Sequence, residues 1–349
     1  MSNHPSSPES APRDVADLEE RLSRPTPYLL EAFSRLSGDI VLLGVGGKMG
    51  PTMARMARRA ADEVGPERRI LGVSRFTNAE ARQKLENWRV ETVAADLFEE
   101  PAVAALPEAE NVVYLASFKF GAAADPAMTW ATNCYIPALV CRRYGASRIA
   151  AFSTGNVYGL TPRERGGSRE SDGLAPIGDY AMAAVGRERM FEFFSQRKST
   201  PVALLRLNYA TEMRYGVLVD LARQVHAGET IDLSMGYANV IWQADANAMA
   251  LASLARAASP PRAINIAGPE LLSVREVCLR LGELLDRPVS FSGQEGPDAL
   301  LSDGSYGWKL FARPSVSAET LIAWTADWVR RGGESLGKPT HFESRDGTF

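Results

Sequence analysis

The apolar positions of this chain change period as it runs. Ile40-Val-Leu-Leu43 is a short unbroken apolar run that ends in glycines, and residues 53–64 then space their apolar side chains along one face of a helix. The alternation repeats. Short apolar runs at 70–73, 90–94, 111–116, 148–152 and 202–205 predict strands, with helical spacing between them, most clearly over 128–144 and 180–196. Strands that are apolar throughout and separated by helices predict a parallel sheet covered on both faces, an α/β doubly wound fold.

After about residue 209 the pattern loosens. Helices are predicted at 216–226, 273–285 and 317–331, the second opening on the capping box Ser273-Val-Arg-Glu276. Short strands near 239–241, 263–266 and 289–291 interrupt them. The expected organisation is an N-terminal extension over 1–37, a sheet domain over 38–208 and a smaller mixed lobe over 209–349, with some segments of the lobe returning to the sheet. Within the extension, the Ser- and Pro-rich residues 1–13 read as disordered. Residues 14–37 read as two short helices, the first capped by Asp14 and the pair split by Pro25 and Pro27, forming a packing or oligomer-contact arm. The polar, unpatterned residues 338–346 read as a disordered or partner-contacting tail.

Composition narrows the function. The 349 residues are 45% hydrophobic and 23% charged, ordinary globular values, and the net charge of −3 gives no reason to expect nucleic acid. Cys134, Cys141 and Cys278 are too few and scattered for a disulfide framework, which suits a reducing, cytoplasmic setting. His4, His226 and His341 form no metal-type spacing, so no metal is expected. No apolar stretch has the length of a membrane span, and the N-terminus has no signal-peptide core.

The predicted strand at 40–43 runs into Gly44-Val-Gly-Gly-Lys-Met-Gly50, and a predicted helix follows. Glycines spaced three apart at Gly44, Gly47 and Gly50 suit a dinucleotide. One makes the tight turn, one admits the pyrophosphate against the backbone, and one lets helix and strand pack closely. Lys48 and Met49 lie in the same turn, and the helix N-terminus offers N–H groups to the phosphates. The second strand ends in Ser74-Arg75 with no carboxylate to hold a ribose 2′-hydroxyl. An arginine there favours NADP, with NAD as the fallback.

At these residues the chain resembles the extended short-chain dehydrogenases/reductases of the NAD-dependent epimerase/dehydratase type, over about residues 38–270. The resemblance implies a Rossmann-type domain and assigns roles. Asp96-Leu97 is similar to the pair that meets the adenine, and Tyr114-Leu-Ala-Ser-Phe-Lys119 to a segment, including Leu115 and Ala116, whose lysine approaches the cofactor. Asn133 matches an asparagine of the following helix. Phe152-Ser-Thr-Gly-Asn-Val-Tyr-Gly159 resembles a motif in which Thr154 takes the catalytic Ser/Thr position, and Asn156 lies within it. Tyr180 matches the catalytic tyrosine, Glu188 fits the helix after it, and Leu205-Arg-Leu-Asn208 resembles a strand end, one residue shorter than the family's. The stretch 236–245, with Trp242, matches one that borders the substrate cleft, so Asn156, Asn208 and Trp242 are expected on the substrate side. The resemblance also implies a homodimer paired through the helix over 180–196, with Met182, Met190 and Phe191 near its two-fold axis.

One position departs from the family. Its Tyr-x-x-x-Lys motif reads Tyr180-Ala-Met-Ala-Ala184 here. In the family that lysine binds the nicotinamide ribose and places a positive charge beside the tyrosine; without it a phenol is a poor base at neutral pH. Lys119 and Arg187 are the cations that could take over part of that work. Two functions therefore stay open. One is an enzyme acting at a hydroxyl-bearing carbon of a sugar-like substrate, with Tyr180 and Thr154 at the reacting oxygen. The other is a dinucleotide-binding sensor or structural module without redox turnover.

Overall fold

The computed structural model describes residues 10–65, 67–119 and 121–348. Seven strands form the central sheet: β1 Ile40–Leu43, β2 Ile70–Ser74, β3 Glu91–Ala94, β4 Asn111–Tyr114, β5 Arg148–Thr154, β6 Val202–Leu207 and β7 Arg262–Ile266. They lie in the order β7-β6-β5-β4-β1-β2-β3, and every pairing is parallel. Side chains alternate across the sheet. Ile40 and Leu42 join one core with Val113, Ala150 and Ile264, while Val41 and Leu43 join the other with Leu71, Val112 and Ile149. Burial on both faces is why the central strands β1 and β4 are almost wholly apolar, whereas the edge strand β3 is exposed or half-exposed along its length.

The fold is thus the Rossmann-type α/β sheet the alternation predicted, with further small two-stranded sheets after it. The segment near 263–266, expected as a short strand interrupting the later lobe, is β7 and completes the main sheet beside β6. The strand order reverses between β1 and β4, which opens a crevice at their carboxyl ends.

The N-terminal helices α1 (Val15–Leu22) and α2 (Pro27–Arg35) are capped by Asp14 and Thr26. They bury Leu18, Leu22, Leu29 and Phe33 against the core face that carries α3 (Gly50–Val64). This arm is a packed element of the monomer. The stretch expected to be disordered falls largely on residues outside those described. The helix expected over 128–144 is broken into Pro126–Trp130, a wide π-helical turn Ala131–Tyr135, and Ile136–Arg143. Pro137 has no N–H to offer the carbonyl four residues back, so a straight α-helix loses a bond there and the wider turn precedes it.

Candidate active site

A cleft of about 290 Å³ opens at the carboxyl ends of β1, β4, β5 and β6. Its floor begins with the glycine turn. Gly44 has φ of +89°, a conformation that favours glycine, and a Cβ on it would stand 2.9 Å from the backbone nitrogen of Ala116. A Cβ on Gly50 would meet the Val45 carbonyl oxygen at 2.1 Å, so this glycine lets α3 sit against its strand. Gly47 is different: a Cβ there would only touch the Gly44 carbonyl at 3.5 Å. Its missing side chain leaves space toward the cleft rather than relieving a clash. No side chain caps the N-terminus of α3. An open turn and an uncapped helix end fit a pyrophosphate.

The other wall carries the proton-handling groups. Thr154 ends β5, and its hydroxyl donates to Asn156 Oδ1 at 3.1 Å while accepting from the Asn156 N–H at 3.2 Å. Tyr180 lies in the first turn of α4 (Gly178–Lys198) and is 7% exposed. Lys119 stands with Nζ 5.9 Å from the centre of the Tyr180 ring. Burial pushes its ammonium down to about 8, against the pull of the Glu343 and Asp220 carboxylates. Burial likewise pushes Lys48 down to about 7, helped by the charges of Lys119 and Lys338 and opposed by Asp220.

Beneath this surface the chain is held by buried polar bonds. The Ser153 hydroxyl donates to Glu188 at 2.6 Å, and Arg206 Nη2 pairs with the other oxygen of that carboxylate at 2.8 Å. This pair fixes α4 against β5 and β6. On the opposite side, Gln243 opens the helix α6 (Gln243–Ala252) and donates to Thr52 of α3 at 3.2 Å.

Most residues singled out in the sequence converge here. Gly44, Gly47, Lys48, Met49, Gly50, Leu115, Lys119, Thr154, Asn156, Tyr180 and Asn208 all line the cleft. Ala116 lies under Gly44. Ser74 presses on the turn, since a Cβ on Gly46 would come within 2.6 Å of its hydroxyl oxygen. Arg75 is exposed at the end of β2, with no ion-pair partner among the described residues. Asp96 follows β3, where its carboxylate accepts from the Phe98 N–H at 3.0 Å, and Leu97 is buried behind it.

Three expectations change. Trp242 is not at the cleft: it is 4% exposed and packs on Trp324 with ring centres 5.7 Å apart. Its neighbour Gln243 lines the cleft instead. Phe191 has no exposed surface and packs edge-on against Tyr114, so it cannot contact a partner. The tail is neither disordered nor remote. The Thr340 N–H and hydroxyl both donate to Asp220 of α5 (Val217–Ala227), its carbonyl accepts from Lys119 at 3.1 Å, and it lines the cleft. Further along, Gly347 packs on Gly178 at the start of α4.

Sequence reading passed over Ser117, Tyr209, Tyr215 and Thr340 as cleft residues. Only Ser117 had a signal, since it sits inside the quoted segment after β4. The others reach the cleft from loops and the tail, where no periodicity announces a direction.

Comparison with known proteins agrees with this geometry. The profile of the NAD dependent epimerase/dehydratase family matches residues 40–267. No curated protein matches the chain in sequence. Among solved structures, the fold is similar to dTDP-glucose 4,6-dehydratase from Streptomyces venezuelae, solved with NAD bound, at 20% identity and a TM-score of 0.71, covering 84% of this chain and 97% of that one. It is also similar to UDP-glucose 4-epimerase from Thermotoga maritima, solved with UDP-glucose, at 19% identity and a TM-score of 0.68, covering 84% and 99%. UDP-glucuronic acid 4-epimerase from Bacillus cereus, in complex with UDP-glucuronic acid and NAD, matches at 15% identity and a TM-score of 0.69, covering 84% and 99%.

Proposed function

The chain belongs to the NAD dependent epimerase/dehydratase family, and from that premise we propose that it is an oxidoreductase acting at a hydroxyl-bearing carbon of a sugar nucleotide or similar sugar-like substrate. One observation carries the reading: Tyr180 and Thr154 line the same cleft as the glycine turn Gly44–Gly50. A group that exchanges a hydroxyl proton and a site suited to a dinucleotide therefore share one space. The nicotinamide ring, when bound, supplies the hydride acceptor or donor. The protein's part is positioning and proton handling. Tyr180 exchanges the proton of the substrate hydroxyl, and Thr154, oriented by Asn156, hydrogen-bonds the same oxygen. Asn208, tied to Asn239, borders the substrate side.

The dinucleotide would lie with its pyrophosphate on Gly47–Gly50 and its adenosine toward Ser74, Arg75, Asp96 and Leu97. The exposed guanidinium of Arg75 favours NADP, with NAD as the alternative. A dimer suits the face built from Trp130, Tyr135, Met182 and Phe193, each at least 40% exposed. Three free thiols suit a reducing compartment such as the cytoplasm. Among the described residues no helix is long and apolar enough to cross a membrane.

The test is the reduced-nicotinamide absorbance of protein loaded with cofactor and offered sugar nucleotides. A change that depends on Tyr180 supports the enzyme. Binding with no change across the panel moves the reading to a dinucleotide-binding module, the function that the alanine at 184 would favour.

A further inference from the structure

Residues 340–347 form a strap that is fixed at both of its ends and between them. At one end the Thr340 N–H and hydroxyl donate to Asp220 of α5 at 2.7 and 2.6 Å, and its carbonyl accepts from Lys119 at 3.1 Å. Phe342 then enters the main core, 3% exposed. Arg345 donates from Nη1 to the carbonyls of Ser234 and Asp298 at 3.1 and 2.9 Å, and its Nη2 pairs with the Asp298 carboxylate. At the far end Gly347 lies on Gly178, two residues before Tyr180, where a Cβ on Gly178 would stand 2.6 Å from the Gly347 carbonyl oxygen. A segment with this many buried contacts and backbone bonds is a wall rather than a loose end.

Its position decides what it walls off. The dinucleotide is assigned to the ends of β1, β2 and β3, so a substrate held at Tyr180 and Thr154 extends the other way, past the ends of β5 and β6. Asn156 and Asn208 border that direction. Beyond Asn156 the strap has closed in. The space bounded by Asn156, Ile177, Leu300, Ser344, Arg345 and Gly347 is about 10 Å³, room for about one water. Asn208 donates to the Leu300 carbonyl beside that space, at 3.3 Å. The charges there are unsuited to a diphosphate as well. The Asp220 and Glu343 carboxylates act on Lys119 from the strap side, and the Arg345 guanidinium is already paired with Asp298. What remains for a substrate is the amides of Asn156 and Asn208 beside Thr340, neutral groups that suit hydroxyls.

We propose that residues 340–347 are the specificity-determining wall of this site, and that its substrate is a sugar or sugar-like polyol carrying no nucleotide. This rests on the oxidoreductase reading above and narrows its substrate. A nucleotide attached through phosphates would have to pass Asn156, where the strap leaves no volume for it. The strap lies outside residues 40–267, the part that the family profile matches, so the wall is a feature of this chain and not of that profile.

The experiment titrates UDP and dTDP, the nucleotide halves of sugar nucleotides, into protein already saturated with dinucleotide, and reads binding by calorimetry. Saturation keeps the probes off the glycine turn. The wild-type chain is expected to show a Kd above about 1 mM for both. A chain ending at Glu343 keeps Thr340 and Phe342, loses the hold at Arg345 and Gly347, and is expected to bind them at least about tenfold more tightly. A wild-type Kd below about 1 mM overturns the proposal. So does a folded shortened chain that binds no better than wild type. Should the shortened chain fail to fold, Arg345→Ala, which keeps the length and frees the strap from Ser234 and Asp298, is read by the same criterion. In the reduced-nicotinamide assay, free sugars and polyols join the sugar nucleotides. A change with the free compounds alone is expected, and turnover of a sugar nucleotide overturns the proposal. Cofactor-loaded protein that answers to neither class counts against the oxidoreductase reading itself, while the titrations with UDP and dTDP still judge the wall.

Discussion

The ammonium of Lys48 sits over the ring of Tyr215, with Nζ 3.3 Å from the ring centre. The lysine belongs to the glycine turn and the tyrosine to the loop before α5, so the contact joins the two walls of the cleft. It also holds a cation where burial has brought its titration down to about 7. A pyrophosphate arriving at the turn stabilises the charged form and raises that value again. Dinucleotide binding is therefore expected to take up protons at and above neutral pH. Affinity should be flat below about pH 7 and fall above it, by at most about tenfold per pH unit. Calorimetry in buffers of different ionisation enthalpy measures the uptake. Lys48→Met should abolish it, and an uptake that survives the substitution assigns it to another group.

The glycines of the turn should separate fold from binding. Gly50→Ala forces a methyl to 2.1 Å from the Val45 carbonyl oxygen and is expected to cost about 1–3 kcal/mol of stability, read as a lowered thermal midpoint. Gly47→Ala meets only ordinary contact at 3.5 Å and should leave that midpoint alone. Its methyl enters the space assigned to the pyrophosphate, so affinity should drop by about tenfold or more. Undiminished binding in a folded Gly47→Ala would move the phosphates elsewhere.

Tyr180→Phe should remove about 100- to 10,000-fold of turnover while dinucleotide affinity is retained, because the phenol acts on the substrate oxygen. Thr154→Val, which loses one hydrogen bond to that oxygen, should lose less, about tenfold. Steady-state rates beside binding titrations separate the two effects. Wild-type turnover in Tyr180→Phe would assign the proton transfer to another residue.

Arg75→Ala should weaken NADP by about 10- to 100-fold and leave NAD nearly unaffected, since only NADP offers the 2′-phosphate for a charge-assisted bond. Titrating both dinucleotides into both proteins checks this. Equal affinities throughout would make Arg75 an ordinary surface charge.

Light scattering at micromolar concentration should give a mass twice that of the chain. Met182→Asp with Phe193→Asp should give the monomer, because these side chains are 45% and 46% exposed on one stripe of α4. A monomeric wild type ends the dimer proposal.

The legible parts of this chain were those whose signal is local. Ile40–Leu43 announced a doubly buried strand, and the spacing of Gly44, Gly47 and Gly50 announced the turn after it, because both are patterns of adjacent residues. The capping residues Asp14 and Ser273 were readable for the same reason. Trp242 misled because an aromatic in a polar stretch looks the same from sequence whether it faces a cleft or the core. Packing against Trp324, 82 positions later in the chain, put it in the core.

By itself, then, the sequence determined the order of strands and helices, the glycine turn and the frame in which Thr154 and Tyr180 stand, since hydrophobic period and backbone conformation are written residue by residue. The tertiary structure decided what meets across the cleft. It folded the unpatterned tail over Lys119, closed Ala184 against Val157 and Tyr158, and buried Arg187 among Phe152, Ser117 and Asn133, with no carboxylate paired to it among the described residues. Those contacts join residues from different strands and loops, and a buried charge acquires its meaning only from the distant groups that do, or do not, surround it.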